Sequence, residues 1–232
     1  MIQNLQDSRG GRARTAVPGV AHTAIAGAIV TPLLLVSLRI LSPELDPSYR
    51  MISEYAVGRY GWLLSLMFVA WGISSGAAAM TIRPHVLSRA GKMGVTFLVV
   101  AGFGQALAAV FDIRHDILHN LGGAMGMLGL PVAAILISVS LGRNPEWSPV
   151  RRQLLVIANL TWISVVLLVG TMVLMMVTFI HVNGGLPAQP PATLPRGVIA
   201  LVGWANRLMV VVDCAWVVAV AGWALHLRET SA

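Results

Sequence analysis

Charged residues are scarce in this sequence. Asp, Glu, Lys and Arg make up only 11% of its 232 residues, whereas hydrophobic residues make up 56%. A soluble domain usually carries about 25% charged residues, so the shortage excludes an ordinary soluble domain. The single cysteine, Cys214, excludes an intrachain disulfide and leaves the redox compartment undetermined.

Several well-known motifs are absent as well. The chain has no P-loop, no HExxH zinc motif and no CxxC pair, so the classes recognised by those motifs have no support. The net charge is +7, but the basic residues are scattered through the connections between apolar runs and form no single patch. We therefore expect no nucleic-acid partner.

Six apolar runs dominate the chain. Each is at or close to the roughly 20 residues that a membrane-spanning helix needs; they lie at about 20–41, 61–82, 93–111, 119–141, 153–180 and 198–226. The sequence therefore predicts an all-α polytopic membrane protein, a bundle of six transmembrane helices. We expect a cytoplasmic N-terminal tail at 1–19, a transmembrane domain at 20–228 and a cytoplasmic C-terminal tail at 229–232.

The basic residues predict the orientation of this bundle. Cytoplasmic connections of membrane proteins carry an excess of Lys and Arg. Ten basic residues share one side: Arg9, Arg12, Arg14, Arg83, Arg89, Lys92, Arg143, Arg151, Arg152 and Arg228. Five lie on the other: Arg39, Arg50, Arg59, Arg114 and Arg196. We expect a multi-pass protein of the plasma membrane with both termini cytoplasmic and the first, third and fifth connections outside.

Four ionisable residues follow the third apolar run. Asp112, His115, Asp116 and His119 have the spacing i, i+3, i+4, i+7 of one helical face. Imidazoles and carboxylates are ligands for metals and groups for proton transfer. Asp112, His115 and His119, with His181 at the next outer connection, are therefore candidate ligands for Zn²⁺, the one cofactor that we consider.

The short connection between the third and fourth runs predicts a turn inside this group of four. Two antiparallel helices must be joined there, and the turn would break the continuous face. We expect His119 to face the bundle near Ser53 and His115 to face water. We expect this turn to bring Asp112 and His119 together; the alternative is that each pairs elsewhere.

The first outer connection contains a short helical pattern at 51–56. Ser53 could cap an interfacial helix, or Ser53 and Glu54 could form the lip of a pocket. In the sixth run, Arg207 needs a partner because a buried charge is costly. We expect that partner to be a carboxylate, namely Glu54, Asp112 or Asp116.

Asp213 lies deeper in the same run, seven residues after Asn206 and hence on the same helical face. It could be structural, joining helices in a polar seam with Gln105, or it could accept a proton in a transport path.

The segments ISEYAVGRYGWLL and GWANRLMVVVDCAW, with Asp112 and His119 between them, resemble the bacterial membrane family called domain of unknown function 998. The resemblance extends from about residue 20 to 228 and implies a six-helix integral membrane protein. It implies no reaction. It favours Asp112 and His119 as the core pair, since His115 and Asp116 are outside the family pattern.

Three functions are compatible with these observations. The first is binding of a lipid headgroup or small ligand in an outer polar pocket, and its candidate residues are Ser53, Glu54, Asp112, His119, Asn206 and Arg207. The second is a zinc hydrolase acting on a lipid, loosely similar to ceramidases and adiponectin receptors; its candidate catalytic residues are Ser53, Glu54, Asp112 and His119. The third is a proton-coupled transporter that uses Asp213 and Arg207.

Overall fold

A computed structural model describes residues 18–185, 191 and 193–230. Six long α-helices account for most of these residues: α1 (Pro18–Leu41), α2 (Gly61–Ile82), α3 (Arg89–Val110), α4 (Asp116–Leu141), α5 (Arg151–Asn183) and α6 (Val202–Glu229). Short 3-10 helices cover Ile52–Val57, Arg83–His85 and Pro145–Val150. No strand occurs in the described ranges, so the prediction of an all-α protein is confirmed.

All six helices are long and apolar enough to cross a membrane. The predicted runs coincide with them to within a few residues. The largest differences are at the start of α3, four residues earlier than predicted, and at the start of α6, four residues later. Most of the predicted N-terminal tail, residues 1–17, lies outside the described residues. The chain is therefore a multi-pass membrane protein by the length and composition of its helices.

Each helix packs against its neighbours in sequence, and α6 returns to pack against α1. The helices thus form a closed ring, within which α2 also touches α6. Because consecutive helices are antiparallel, the connections α1–α2, α3–α4 and α5–α6 share one end of the bundle. We call this the odd end.

Glycines allow α3 and α4 to pack with their backbones in contact. A Cβ atom added at Gly104 would lie 2.6 Å from the carbonyl oxygen of Gly122, and one at Gly122 would lie 2.7 Å from that of Gly104. Van der Waals contact between close backbones is the main attraction between helices in lipid. The pair therefore fixes α4 against α3 close to the odd end.

Candidate ligand-binding site

The loop between α1 and α2 is held in place by Arg207 of α6. The guanidinium Nη1 donates to the carbonyl oxygens of Arg50 (2.9 Å) and Gly203 (2.8 Å), and Nη2 donates to the Tyr55 hydroxyl (3.0 Å). Arg207 is only 8% exposed, so these bonds are largely shielded from water.

The expected carboxylate partner of Arg207 is not found, and that prediction is wrong. Among the described residues, Arg207 forms no ion pair with Glu54, Asp112 or Asp116. The loop instead turns several backbone carbonyls toward the first turns of α6, including that of Pro47 at 3.4 Å. Carbonyl dipoles bind Nη1 of the guanidinium without the desolvation cost of a second buried charge, whereas its buried Nε has no partner among the described residues.

Glu54 stabilises the same loop from within. Its carboxylate accepts hydrogen bonds from Arg50 Nη1 (2.7 Å) and from the backbone N–H of Met51 (2.8 Å). Glu54 therefore closes the start of the 3-10 helix, whereas the Ser53 hydroxyl makes no cap there. Of the two alternatives for Ser53, the cap is not found, because the longer Glu54 side chain, three residues after Met51, reaches back to the orphan N–H.

Asn206, one residue before Arg207, fastens the next part of the loop. Its side-chain oxygen accepts a hydrogen bond from the backbone N–H of Ile52 at 3.0 Å. The neighbouring residues Met51 and Ser53 then face a cavity beneath the loop, and Asn206 itself contributes to the cavity wall.

The cavity has a volume of about 340 Å³ and lies at the odd end between the loop and helices α2, α3, α4 and α6. Its polar lining residues come from four separate segments: Ser53, Gln105, Asp116, His119, Asn120 and Asn206. The apolar wall is made mainly of aromatic and sulfur-containing side chains, Phe68, Trp71, Met51, Met127 and Met209. A mostly apolar concavity with a few convergent polar groups is the usual form of a small-molecule site.

His119 is oriented by the end of the preceding helix. Its Nδ1 lies 2.9 Å from the carbonyl oxygen of Phe111. A carbonyl can only accept, so Nδ1 must carry the proton in this contact, and in the neutral ring Nε2 is then an acceptor. The half-buried ring thus offers the cavity a hydrogen-bond acceptor of fixed orientation.

Gln105 forms part of the cavity wall and is only 2% exposed. With its amide oriented to match its neighbours, its oxygen accepts from Trp71 Nε1 at 3.1 Å. Its nitrogen donates to the Trp71 carbonyl oxygen (3.1 Å) and to Ser75 Oγ (2.9 Å). This network fixes the indole of Trp71, which is a large flat surface of the apolar wall.

The expected turn between α3 and α4 is present. Because α3 ends at Val110 and α4 begins at Asp116, Asp112 lies in the connection and His115 lies just before α4. The side chain of His115 is 58% exposed, whereas His119 is on α4 and lines the cavity with Ser53.

Asp112 is engaged outside the cavity. Its carboxylate accepts hydrogen bonds from the Arg114 side chain (Nε to Oδ2, 2.9 Å) and from the Arg114 backbone N–H (2.9 Å). These bonds from Arg114 hold the pKa of Asp112 well below its usual range. Asp112 and His119 therefore have separate partners, and the expectation that the turn brings them together is wrong, because Arg114 and the Phe111 carbonyl engage them first.

Among the described residues, no group of three or more His, Cys, Asp or Glu side chains could hold a metal ion. Asp112 and His115 approach to 3.5 Å, but Arg114 covers the carboxylate oxygens, and His181 is an exposed residue in the last turn of α5. The four candidate zinc ligands are thus not gathered into one site among the described residues.

Two buried polar residues belong to the interior of the bundle. Asp213 is completely buried, and neither of its carboxylate oxygens has a hydrogen-bond partner among the described residues. Ser74 stands at the centre of the stretch GISSG, which matches the GxSxG pattern of hydrolases. That stretch lies within α2, and the Ser74 hydroxyl donates to the Ala24 carbonyl at 2.7 Å. The strand-to-helix turn that exposes a nucleophilic serine is lacking there.

Three of the six residues predicted to bind a ligand line the cavity, namely Ser53, His119 and Asn206. Glu54 and Arg207 hold the loop above it, and Asp112 pairs with Arg114 outside it. Sequence reasoning did not assign the cavity residues Asp116 and Asn120 to ligand binding. The sequence does contain a pattern that indicates them. The i, i+3, i+4, i+7 spacing occurs along α4 at four residues that all line the cavity: Asp116, His119, Asn120 and Gly123.

Comparison with known proteins agrees with the resemblance noted in the sequence. No curated protein and no solved structure matches the chain. A family model described as "Protein of unknown function (DUF998)" matches residues 25–223. The chain therefore belongs to the DUF998 family of proteins of unknown function.

Proposed function

We propose that this membrane protein binds a small amphiphilic ligand, such as a lipid headgroup with its adjoining apolar part, in the cavity at the odd end. The observation that supports this most is the division of the cavity wall. Ser53, His119 and Asn206 offer hydrogen bonds, while Trp71 and Phe68 offer flat apolar surface.

The charges around the cavity favour a ligand head that is cationic or neutral. Of the residues that the structure describes, Asp116 is the one formally charged residue in the lining, and no Lys or Arg contributes to it. The guanidinium of Arg207 is nearby, but the loop occupies both of its terminal nitrogens. A cationic head could approach Asp116 and the face of Trp71, since cations are attracted to indole rings.

Titration with three water-soluble probes of similar shape tests this proposal. Benzyltrimethylammonium, benzyl alcohol and benzoate carry a cationic, a neutral and an anionic head on the same ring. With the protein in lipid nanodiscs, saturation-transfer NMR should show binding of the first two and little binding of benzoate. Protein-free nanodiscs supply the reference for partition into lipid.

The variant Asp116→Asn isolates the contribution of charge. A partly exposed ion pair contributes up to about 1 kcal/mol, or roughly five-fold in affinity. The variant should therefore weaken binding of benzyltrimethylammonium by up to that factor and leave benzyl alcohol unchanged. Binding of none of the probes, or tightest binding of benzoate, would contradict the proposal.

We also propose that the odd end faces the outside of the plasma membrane and that both termini are cytoplasmic. The asymmetry of ten against five basic residues supports this orientation. Because the native cysteine, Cys214, is buried, it should react little with the reagent, and labelling then reports on the introduced cysteine. A cysteine replacing exposed Glu44 should react with an impermeant thiol reagent in intact cells, and one replacing exposed Arg143 should not. The reverse labelling pattern would invert the topology.

A further inference from the structure

A second concavity, a crevice of about 820 Å³, lies between α2 and α3 at the end of the bundle opposite the odd end. Arg83 and Lys92 line its mouth, and Met80, Val95 and Val99 line its walls. None of these residues contributes to the cavity described above. The crevice therefore needs its own explanation.

The packing of α2 against α3 accounts for the opening. The two helices touch backbone to backbone at Gly72 and Gly102, where a Cβ atom added at Gly72 would lie 2.9 Å from the Gly102 carbonyl oxygen. Lys92 is ten residues from Gly102, which corresponds to about 15 Å along the helix. Over that distance the crevice is lined by side chains larger than glycine, among them Met80, Val95 and Val99.

The crevice is polar at its mouth and apolar along its walls, which matches the headgroup and the acyl chains of a phospholipid. Its walls are apolar and face the membrane, since Met80 is 65% and Val99 is 52% exposed. Its mouth is cationic: Arg83 and Lys92 are both exposed, and neither forms an ion pair with a described residue. Pockets with basic residues at the end of a transmembrane helix pair are typical sites for anionic headgroups.

We propose that this crevice binds an anionic phospholipid. The headgroup phosphate would lie between Arg83 and Lys92, and one acyl chain would lie along Met80 and Val99. A free anion such as inorganic phosphate would leave the apolar walls uncovered, and a zwitterionic lipid would leave the two cations without a net countercharge. The proposal is independent of the ligand proposed for the odd end.

Native mass spectrometry of the detergent-purified protein tests this proposal. Titration with phosphatidylglycerol gives an apparent Kd for the first bound lipid, and phosphatidylcholine serves as the zwitterionic reference. Each basic residue near an anionic lipid contributes roughly five-fold to binding. The double variant Arg83→Gln/Lys92→Gln should therefore bind phosphatidylglycerol roughly 30-fold more weakly and bind phosphatidylcholine as the wild type does.

Two further variants separate the crevice from the overall charge of this end. Arg143→Gln/Arg152→Gln removes the same charge from the α4–α5 side and should leave the Kd within about two-fold of the wild type. Thr96→Trp places a bulky side chain in the crevice at an exposed position, without a change of charge, and should also weaken binding. Equal losses in the two double variants, unchanged binding in Thr96→Trp, or no preference for phosphatidylglycerol over phosphatidylcholine would overturn the proposal.

Discussion

Replacement of Arg207 by leucine should destabilise the protein by loosening the loop above the cavity. The change removes two hydrogen bonds that join α6 to the loop, to the Arg50 carbonyl (2.9 Å) and to the Tyr55 hydroxyl (3.0 Å). A hydrogen bond with a charged partner contributes roughly 1.5–3 kcal/mol, so the loss amounts to about 3–6 kcal/mol. Tyr55→Phe removes one of the two bonds and should cost about half as much.

Thermal unfolding in detergent measures these differences. For a chain of this length, 1 kcal/mol corresponds to roughly 2–4 °C in Tm, so the loss of about 3–6 kcal/mol in Arg207→Leu should lower the Tm by roughly 6–24 °C. Arg196→Leu is the matched control, because Arg196 is an exposed arginine at the same end of the bundle.

The double variant Arg207→Leu/Tyr55→Phe completes the comparison. Once the guanidinium is gone, loss of the Tyr55 hydroxyl should cost little more, since the two groups act on each other. If the Tm of Arg207→Leu is no lower than that of Arg196→Leu, the hydrogen bonds from Arg207 to the loop carbonyls do not anchor the loop. Strict additivity of Arg207→Leu and Tyr55→Phe would show that their hydrogen bond contributes nothing.

Three other outcomes follow from the packing and the site. Gly203→Ala should lower the Tm, since its Cβ would lie 2.4 Å from the Pro47 carbonyl oxygen. Gly222→Ala has open space around it and should raise the Tm, because alanine favours a helix more than glycine does. A change of Tm in the same direction for both variants would contradict this. Asp213→Val should raise the Tm because a buried carboxyl without a partner costs about 1–3 kcal/mol; a fall would reveal a partner. Elemental analysis should find no stoichiometric zinc, since Arg114 occupies the carboxylate of Asp112, the acidic residue among the four candidate zinc ligands. One zinc per chain would contradict this geometry.

Hydropathy predicted the six helices because lipid imposes one strong rule, that each crossing is a long apolar helix. The predicted helix ends were in error where local interactions, and not hydropathy, determine the first residue of a helix. α4 begins at Asp116 and not at 119, because polar residues can extend a helix beyond its apolar run. α6 begins at 202 and not at 198 because residues 198–201 belong to the preceding connection.

The candidate site was predictable only in part. The spacing of Asp116, His119 and Asn120 along one face of α4 is visible in the sequence, but the phase of that face depends on where the helix begins. Counting from Asp112 therefore gave a different set of residues. The partner of Arg207 could not be predicted, since backbone carbonyls carry no sequence signal and the loop must fold before they converge.

Trp71 and Gln105 illustrate a second limit. Both lie in apolar helices, where hundreds of side-chain pairings between helices are compatible with the sequence. Their mutual hydrogen bonds appear only when the ring order of the helices places α2 beside α3. Such pairings depend on three-dimensional packing, which periodicity along one helix does not reveal.

Filling the cavity tests the central claim most directly. Gly123 lines the cavity, and no atom lies within 4 Å of the Cβ position there. Gly170 of α5 is equally open but does not line the cavity. Gly123→Leu should abolish binding of benzyltrimethylammonium with an unchanged or higher Tm, and Gly170→Leu should bind it as the wild type does. Undiminished binding by a folded Gly123→Leu protein would contradict the assignment of this cavity as the ligand site.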